Sequence, residues 1–332
     1  MTASTHPLLV IDSLRCEFPM GSALWARLLG RPVPLLRAVT DVSLSVAPGS
    51  SVGIVGESGC GKSTLAKAII GLTHPAAGSI ELDGVTLGHR RDEAVRRRIQ
   101  MVFQDPGSSL NPAMTIGDAI TEVIRFHRLR HGAAVEQRCR ALLDLVELPA
   151  SVFDMRPAGL SGGQRQRVAI ARALAVEPDL LIADEAVAAL DVSVQAAILN
   201  LLNGLRASLG LTMLFISHDL AVVRQVTDRV LVLYLGRVVE DQPTVDLFDH
   251  PRHPYTQALL AAAPRFGSRK EPGHTALTGE VPSALDLPPG CAFRGRCPIA
   301  VSRCATDRPE LVGIVDDHRV ACHVNASITH RA

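Results

Sequence analysis

The stretch Gly56-Glu57-Ser58-Gly59-Cys60-Gly61-Lys62-Ser63-Thr64 constrains this chain more than any other. It follows an apolar run, Ser51–Val55, and opens an apolar helical pattern, so a strand, a Gly-rich loop and a helix are predicted in succession. The glycines let the backbone curl so that successive N–H groups converge on phosphate oxygens, and the helix N-terminus adds its positive end. Lys62 offers a point charge to the β- and γ-phosphates, and Ser63 offers a hydroxyl to Mg²⁺. Cys60 reads as a small filler within the loop.

Such a loop belongs to an α/β fold with a mainly parallel sheet, and the rest of the chain agrees. Ser51–Val55, Leu180–Ala183 and Thr212–Ile216 are dense in aliphatic residues and end at polar ones, as central strands buried on both faces do. Val135, Cys139, Leu142, Leu143 and Val146 recur at helical spacing. Ile198, Leu199, Leu201, Leu202 and Leu205 do the same, with Gly210 placed to end their helix. Leu8–Phe18 and Val42–Val46 read as strands of a smaller antiparallel sheet, and Val230–Tyr234 with Val238–Glu240 as a hairpin around Gly236. After about Arg265 the pattern breaks into Pro, Gly and Cys. The formal net charge of +1 and the 3% of aromatic residues argue against nucleic acid as a partner. No secretory signal and no long apolar span is legible, so a cytoplasmic location is expected.

A shared phosphate loop identifies nucleotide binding without identifying the work. Leu160-Ser161-Gly162-Gly163-Gln164, running into Arg165–Leu174, places a Ser-Gly-Gly turn before an amphipathic helix and so forms a second helix N-terminus able to meet a phosphate. This motif resembles the signature of the ABC ATPase family. The resemblance implies that the turn meets ATP held by a second subunit, so that two domains sandwich two nucleotides. Leu180–Ala183 ends in Asp184, suited to orient Mg²⁺, and Glu185, which would face the attacking water. Gln104, in Val102–Pro106, is similar to the family's Q-loop residue, which touches Mg²⁺ and water and connects to the membrane subunits. His218 is similar to the switch histidine that contacts the γ-phosphate, and Asp191 to the D-loop aspartate. Ser217, His218 and Asp219 cannot form a hydrolase triad, because consecutive residues on an extended chain face different ways. A phosphate-loop kinase or GTPase would have no use for the signature motif. Soluble ABC ATPases of translation or DNA repair carry fused domains or long coiled coils, and neither is visible here.

Three further segments look like the oligopeptide, dipeptide and nickel importer branch of that family: Gln104–Pro112, Ala189–Gln195 and His253–Thr256. The resemblance runs from about residue 8 to about residue 325. It implies a RecA-like phosphate-loop ATPase core with an antiparallel β subdomain and a helical subdomain over residues 106–172, together forming a domain of residues 1–265. The implied protein takes ATP and Mg²⁺ and powers import of a peptide or a solute such as nickel from the cytoplasmic face of the inner membrane. Its partners would be a related ATPase, or a second copy, two permeases and, indirectly, an extracytoplasmic binding protein. Two departures stand out: Ala186 and Ala188 occupy positions where the branch has Pro and Ser, and slower hydrolysis at this site is expected. Phe18 and Trp25 are the candidates for an adenine-stacking aromatic.

Residues 266–332 form the expected Cys-rich extension. Cys291, Cys297, Cys304 and Cys322 are separated by gaps of five, six and seventeen residues, too wide for the usual paired cysteines of a zinc module. They fit a [4Fe–4S] cluster better, and the branch resemblance points the same way, with zinc as the alternative and unrelated buried thiols as the bland reading. A bound metal is expected to fold this segment, which lacks apolar periodicity.

Overall fold

A computed structural model describes residues 6–21, 33–262, 280–315 and 317–326. Trp25 and residues 266–279 lie outside the described residues. By contacts the chain divides into two units, the first built from Val46–Ser51 and Arg90–Ser217, the second from His6–Ser45, Val52–His89 and the chain from His218 onward.

In the first unit, Ile99–Val102, Leu180–Asp184 and Thr212–Ser217 lie side by side and parallel, with Ile99 opposite Leu180 and Leu180 opposite Thr212. Every residue of the latter two strands is buried, which explains why they read as unbroken apolar runs rather than alternating ones. The expected helices are present as Ala133–Leu145 and Val192–Leu209, and Ile198, Leu199, Leu201, Leu202 and Leu205 form the buried face of the second. Gly210 ends that helix at φ 65°, a left-handed conformation that costs glycine little. Two more helices, Ile116–Phe126 and Gly162–Leu174, complete the packing, the former capped by the Thr115 hydroxyl. Cys139 is fully buried on Ala133–Leu145, and desolvation raises its thiol to about 11, so it serves as a small apolar filler.

The second unit holds two sheets. Leu35–Val46, Leu9–Pro19, Ala77–Leu82 and Val85–Thr86 make a four-stranded sheet, whose Leu9–Pro19 pairs antiparallel with Ala77–Leu82. Its apolar positions Leu9, Ile11, Leu14 and Cys16 are buried, and the register shifts between Asp12 and Arg15. Val52–Val55 runs parallel to Arg229–Val232, and Arg229–Tyr234 turns at Leu235-Gly236 into antiparallel Arg237–Pro243. Both turn residues have positive φ, 46° and 78°, as a tight hairpin turn requires.

The chain beyond residue 280 then adds two strands to this hairpin. His318–Val320 pairs with Glu240 and Asp241, and Val312–Val315 pairs with His318–Val320. Two carboxylates fix this register. Asp241 is fully buried and takes both Arg229 nitrogens at 2.6 Å, with Arg319 as a further partner. Glu240, equally buried, accepts from the backbone N–H of Arg252 at 2.6 Å and of His253 at 3.0 Å, and its Oε1 lies 3.0 Å from His318 Nε2. A buried carboxylate without such partners would cost several kcal/mol, so His318 and Arg319 tie their strand to the hairpin through these carboxylates as well as through backbone pairing.

His253 is 2% exposed, and its Nδ1 accepts from the Tyr255 N–H at 3.1 Å. Burial pushes its pKa down to about 4. The unfolded chain therefore binds a proton that the folded chain refuses as pH falls from the ordinary histidine value toward 4, and stability is lost over that window. Chemical denaturation should show a loss of about 2 kcal/mol between pH 7 and pH 5 from this group. The loss should shrink in His253→Asn, and an unchanged slope in that variant would assign the effect elsewhere.

Candidate functional site

The sequence motifs fall on both units, and each unit builds its part from strand exits. In the second unit the run Gly56–Thr64 leaves the strand Ser51–Val55 and enters the helix Lys62–Ile70. Gly61, at φ 107°, caps this helix without a side chain, and a Cβ there would lie 2.1 Å from the Ala38 carbonyl oxygen. Lys62 is 4% exposed, and its Nζ donates to the carbonyls of Gly56 at 2.7 Å and Glu57 at 3.0 Å. The ammonium is thus folded back over the loop, held by acceptors that a phosphate can replace. Cys60 is 4% exposed, and burial raises its thiol pKa, which agrees with a filler role.

Glu57 is the most heavily held residue of the loop. Its N–H donates to the Tyr255 hydroxyl at 2.8 Å, its carbonyl accepts from Lys62, and its carboxylate takes both terminal nitrogens of Arg296 at 2.8 Å each. Sequence reasoning does not reach Tyr255 and Arg296 as parts of the site. Tyr255 sits in His253–Thr256, a segment that stands out only for its family likeness, and Arg296 is distant in sequence and marked by nothing but its neighbour Cys297. His218, which directly follows the strand Thr212–Ser217, lies in this unit too, and Asp219 caps the helix Leu220–Val226 after it.

In the first unit, Glu185 immediately follows the strand Leu180–Asp184 and takes φ 47°, a left-handed conformation uncommon for a side chain of this size. It is pinned there on both sides, its N–H donating to Ile216 O at 2.9 Å and its carbonyl accepting from the Ala188 N–H at 3.1 Å. Its carboxylate accepts from Gln104 Nε2 at 3.0 Å, so two of the candidate site residues, 81 positions apart, meet. Asp184 is 6% exposed at the strand's end.

Ser161 caps Gly162–Leu174 through a reciprocal pair, Gln164 N–H to Ser161 Oγ at 3.3 Å and Ser161 N–H to Gln164 Oε1 at 2.9 Å. The turn is crowded, since a Cβ on Gly163 would lie 2.4 Å from Val194 Cγ1. Leu160 is buried beneath it. Asp191 caps Val192–Leu209 by accepting from Val194 N–H at 2.9 Å, and that bond lowers its carboxyl pKa. Ala188, at the departure from the branch pattern, is exposed, whereas Ala186 is buried.

The described residues do not support the metal expectation for the four tail cysteines. Cys291, Cys297, Cys304 and Cys322 are free thiols within electrostatic reach of one another, and Cys291 N–H donates to Cys304 O at 3.0 Å. Even so, among the described residues no group of three or more His, Cys, Asp or Glu side chains is arranged to hold a metal ion. Burial raises the pKa of Cys291 and of Cys297. Phe293, Arg296, His318 and Arg319 of this segment are tied by burial, hydrogen bonds and ion pairs to the rest of the second unit.

Comparison with known proteins agrees with this geometry. A family model described as "ABC transporter" matches residues 39–188, and one described as "Oligopeptide/dipeptide transporter, C-terminal region" matches residues 239–304. A Sinorhizobium fredii protein, y4tS, described as a peptide ABC transporter ATP-binding protein, is 49% identical over 322 residues, covering 96% of this chain and 90% of that one. A Brucella abortus protein described as a peptide import ATP-binding protein is 47% identical over 290 residues, covering 86% and 92%. Among solved structures, the ATP-binding cassette MJ0796, a dimer in a post-hydrolysis state bound to ADP and Pi, matches with a TM-score of 0.61 at 30% identity over 71% of this chain and 98% of that chain. CbiO1 from Clostridium perfringens, part of an ABC transporter complex, matches with a TM-score of 0.62 at 27% identity over 74% and 92%.

Two glycines separate backbone need from bulk. Gly61→Ala forces a left-handed alanine against a carbonyl and should cost more than about 3 kcal/mol, or abolish nucleotide binding. Gly204, within Val192–Leu209, has open space where a methyl group would stand, and Gly204→Ala should stabilise by about 0.5–1 kcal/mol. Denaturation midpoints of the two variants check the opposite signs.

Proposed function

The chain belongs to the ATP-binding subunits of ABC transporters, in their oligopeptide/dipeptide branch, and from that premise we propose that it hydrolyses ATP to power a peptide importer, with nickel or a similar small solute as the alternative cargo. The observation that carries the reading is the Gln104–Glu185 bond at the end of a buried strand, because it puts an amide and a carboxylate where a water would be oriented.

The residues divide the work. Gly56–Thr64 cradles the phosphates through backbone N–H groups, and Lys62 exchanges its two carbonyl acceptors for phosphate oxygens. Ser63, Gln104 and Asp184 would hold Mg²⁺, which when bound would supply positive charge against that developing on the phosphoryl oxygens. Glu185 takes the proton of the attacking water, while Gln104 orients it and His218 touches the γ-phosphate. Leu160–Gln164 caps the nucleotide of a second ATPase, and Asp191 faces that subunit. A related ATPase is the favoured partner and a second copy the alternative. The dimeric cassette among the structural relatives supports such pairing.

Closure around ATP and opening after hydrolysis would drive two permeases between states, fed by an extracytoplasmic binding protein. No helix among the described residues is long and apolar enough to cross a membrane, which fits a peripheral subunit on the cytoplasmic face of the inner membrane. A groove of about 450 Å³ in the first unit, lined by apolar Met101, Phe103 and Phe126 together with polar Gln100, Glu122 and Arg172, lies one residue from Gln104 in the chain and would offer a mixed polar and apolar seat for a permease segment. Residues 1–265, with helices over 106–172, form the nucleotide-binding domain in this reading, and residues 266–332 the C-terminal extension.

Glu185→Gln should leave ATP binding intact and lower turnover at this site by at least about a hundredfold, because water activation alone is lost. Lys62→Ala should weaken nucleotide binding itself. Hydrolysis by Glu185→Gln at the parental rate, with the partner's site separately disabled, would falsify the assignment.

The four tail cysteines stay the candidate ligands for a [4Fe–4S] cluster, with zinc as the alternative, and only their shared location supports this. No step of hydrolysis runs through them. Anaerobically purified protein with about four iron and four sulfide per chain, lost in Cys297→Ser, would support a cluster. One zinc per chain would replace it, and metal-free protein would leave four structural thiols.

A further inference from the structure

The loop that must bind a polyanion carries a carboxylate of its own. Glu57 stands second in Gly56–Thr64, and its side chain is one-quarter exposed. Arg296 meets it with both terminal nitrogens at 2.8 Å, and the Arg296 side chain is 4% exposed. This planar, bidentate contact is the strongest form an ion pair takes, and it raises the Arg296 pKa further.

Arg296 is itself held in place. Its guanidinium lies 5.7 Å from the ring centre of Phe293 and 5.9 Å from that of Tyr234. The two rings meet edge to face at 5.3 Å, and Tyr255 packs against Tyr234 at 4.6 Å while its hydroxyl accepts from the Glu57 N–H. Both tyrosines of the chain therefore stand at this joint. Tyr255, Phe293 and Arg296 all fall within residues 239–304, the stretch matched by the C-terminal region model, and outside the ATPase match at residues 39–188.

We propose that Arg296 is a positioning residue for the nucleotide site: the C-terminal region neutralises Glu57 within the phosphate loop, so that ATP affinity depends on the extension. The proposal rests on reading Gly56–Thr64 as the phosphate-binding loop. Without Arg296, the Glu57 carboxylate loses its charge partner in a partly desolvated loop, where it repels phosphates. The loss should be larger for ATP than for ADP, since ATP brings more negative charge to the same carboxylate.

The test is calorimetric titration of the full chain with a Mg²⁺-bound, non-hydrolysable ATP analogue and with ADP. Arg296→Met should weaken the ATP analogue at least about tenfold and ADP less. The double variant Glu57→Gln/Arg296→Met leaves no charge unpaired and should return to within about threefold of the parent. A purely structural role for Arg296 would give equal losses for both nucleotides and no recovery in the double variant, and either result overturns the proposal, as does unaltered binding in Arg296→Met. Should the single variant fail to fold, the double variant decides alone: near-parental affinity supports the proposal, and a loss beyond tenfold overturns it. Lys62→Ala separates the premise from the inference, because undiminished binding there would reject the phosphate-loop reading itself.

Discussion

Parallel strands buried on both faces offer no side chain to a ligand until they leave the sheet, and chemistry in such a fold gathers where they end. Ser51–Val55 releases Gly56, Leu180–Asp184 releases Glu185, Thr212–Ser217 releases His218, and Ile99–Val102 delivers Gln104 two residues on. The exits need unusual backbone. Gly56 leaves at φ 153°, and a Cβ there would lie 2.2 Å from the Leu233 carbonyl oxygen, so only glycine fits. Glu185 does without glycine at φ 47°, a conformation that costs of order 1–3 kcal/mol and persists because Ile216 and Ala188 hold its backbone on either side. The reward for that strain is a carboxylate aimed at Gln104 rather than continued along the strand.

A second constraint places the chain beyond residue 280. Glu240 and Asp241 are fully buried on Arg237–Pro243, and no carboxylate stays charged there without partners. Arg229, on the neighbouring strand, answers part of the demand, and the tail answers the rest with His318 and Arg319. Arg296 repeats the same logic at Glu57. The segment is therefore attached by side-chain contacts to three carboxylates and by one aromatic cluster, which gives a stretch without apolar periodicity fixed points of attachment.

This difference in what holds each region decides what is legible in the sequence. Ser51–Val55, Leu180–Asp184 and Thr212–Ser217 are held by apolar burial, which writes itself as contiguous aliphatic runs, and their bounds can be read to within a residue. The Ser161–Gln164 capping pair and Gly210 are local devices spanning four residues or fewer, and both are visible as motifs. The strands Val312–Val315 and His318–Val320 are not, because they are short and their partners are individual charges 78 positions away. Arg296 and Tyr255 escape notice at the site for the same reason: nothing local distinguishes an arginine that pairs with Glu57 from one that faces solvent. Four nearby cysteines, conversely, are a conspicuous local pattern that implies more than the described side chains assemble.

The substitutions after Glu185 follow the same distinction between local and distant partners. The turn over residues 185–190 is closed by backbone bonds, Ala188 N–H to Glu185 O at 3.1 Å and Leu190 N–H to Val187 O at 3.2 Å. Neither bond uses a side chain at 186 or 188, so alanine at both positions leaves the Glu185 geometry in place. Ala186 is buried and fills space that an apolar ring would fill in the branch pattern, whereas Ala188 is exposed and touches no described catalytic side chain by hydrogen bond. The Gln104–Glu185 contact therefore depends on no side chain at 186 or 188.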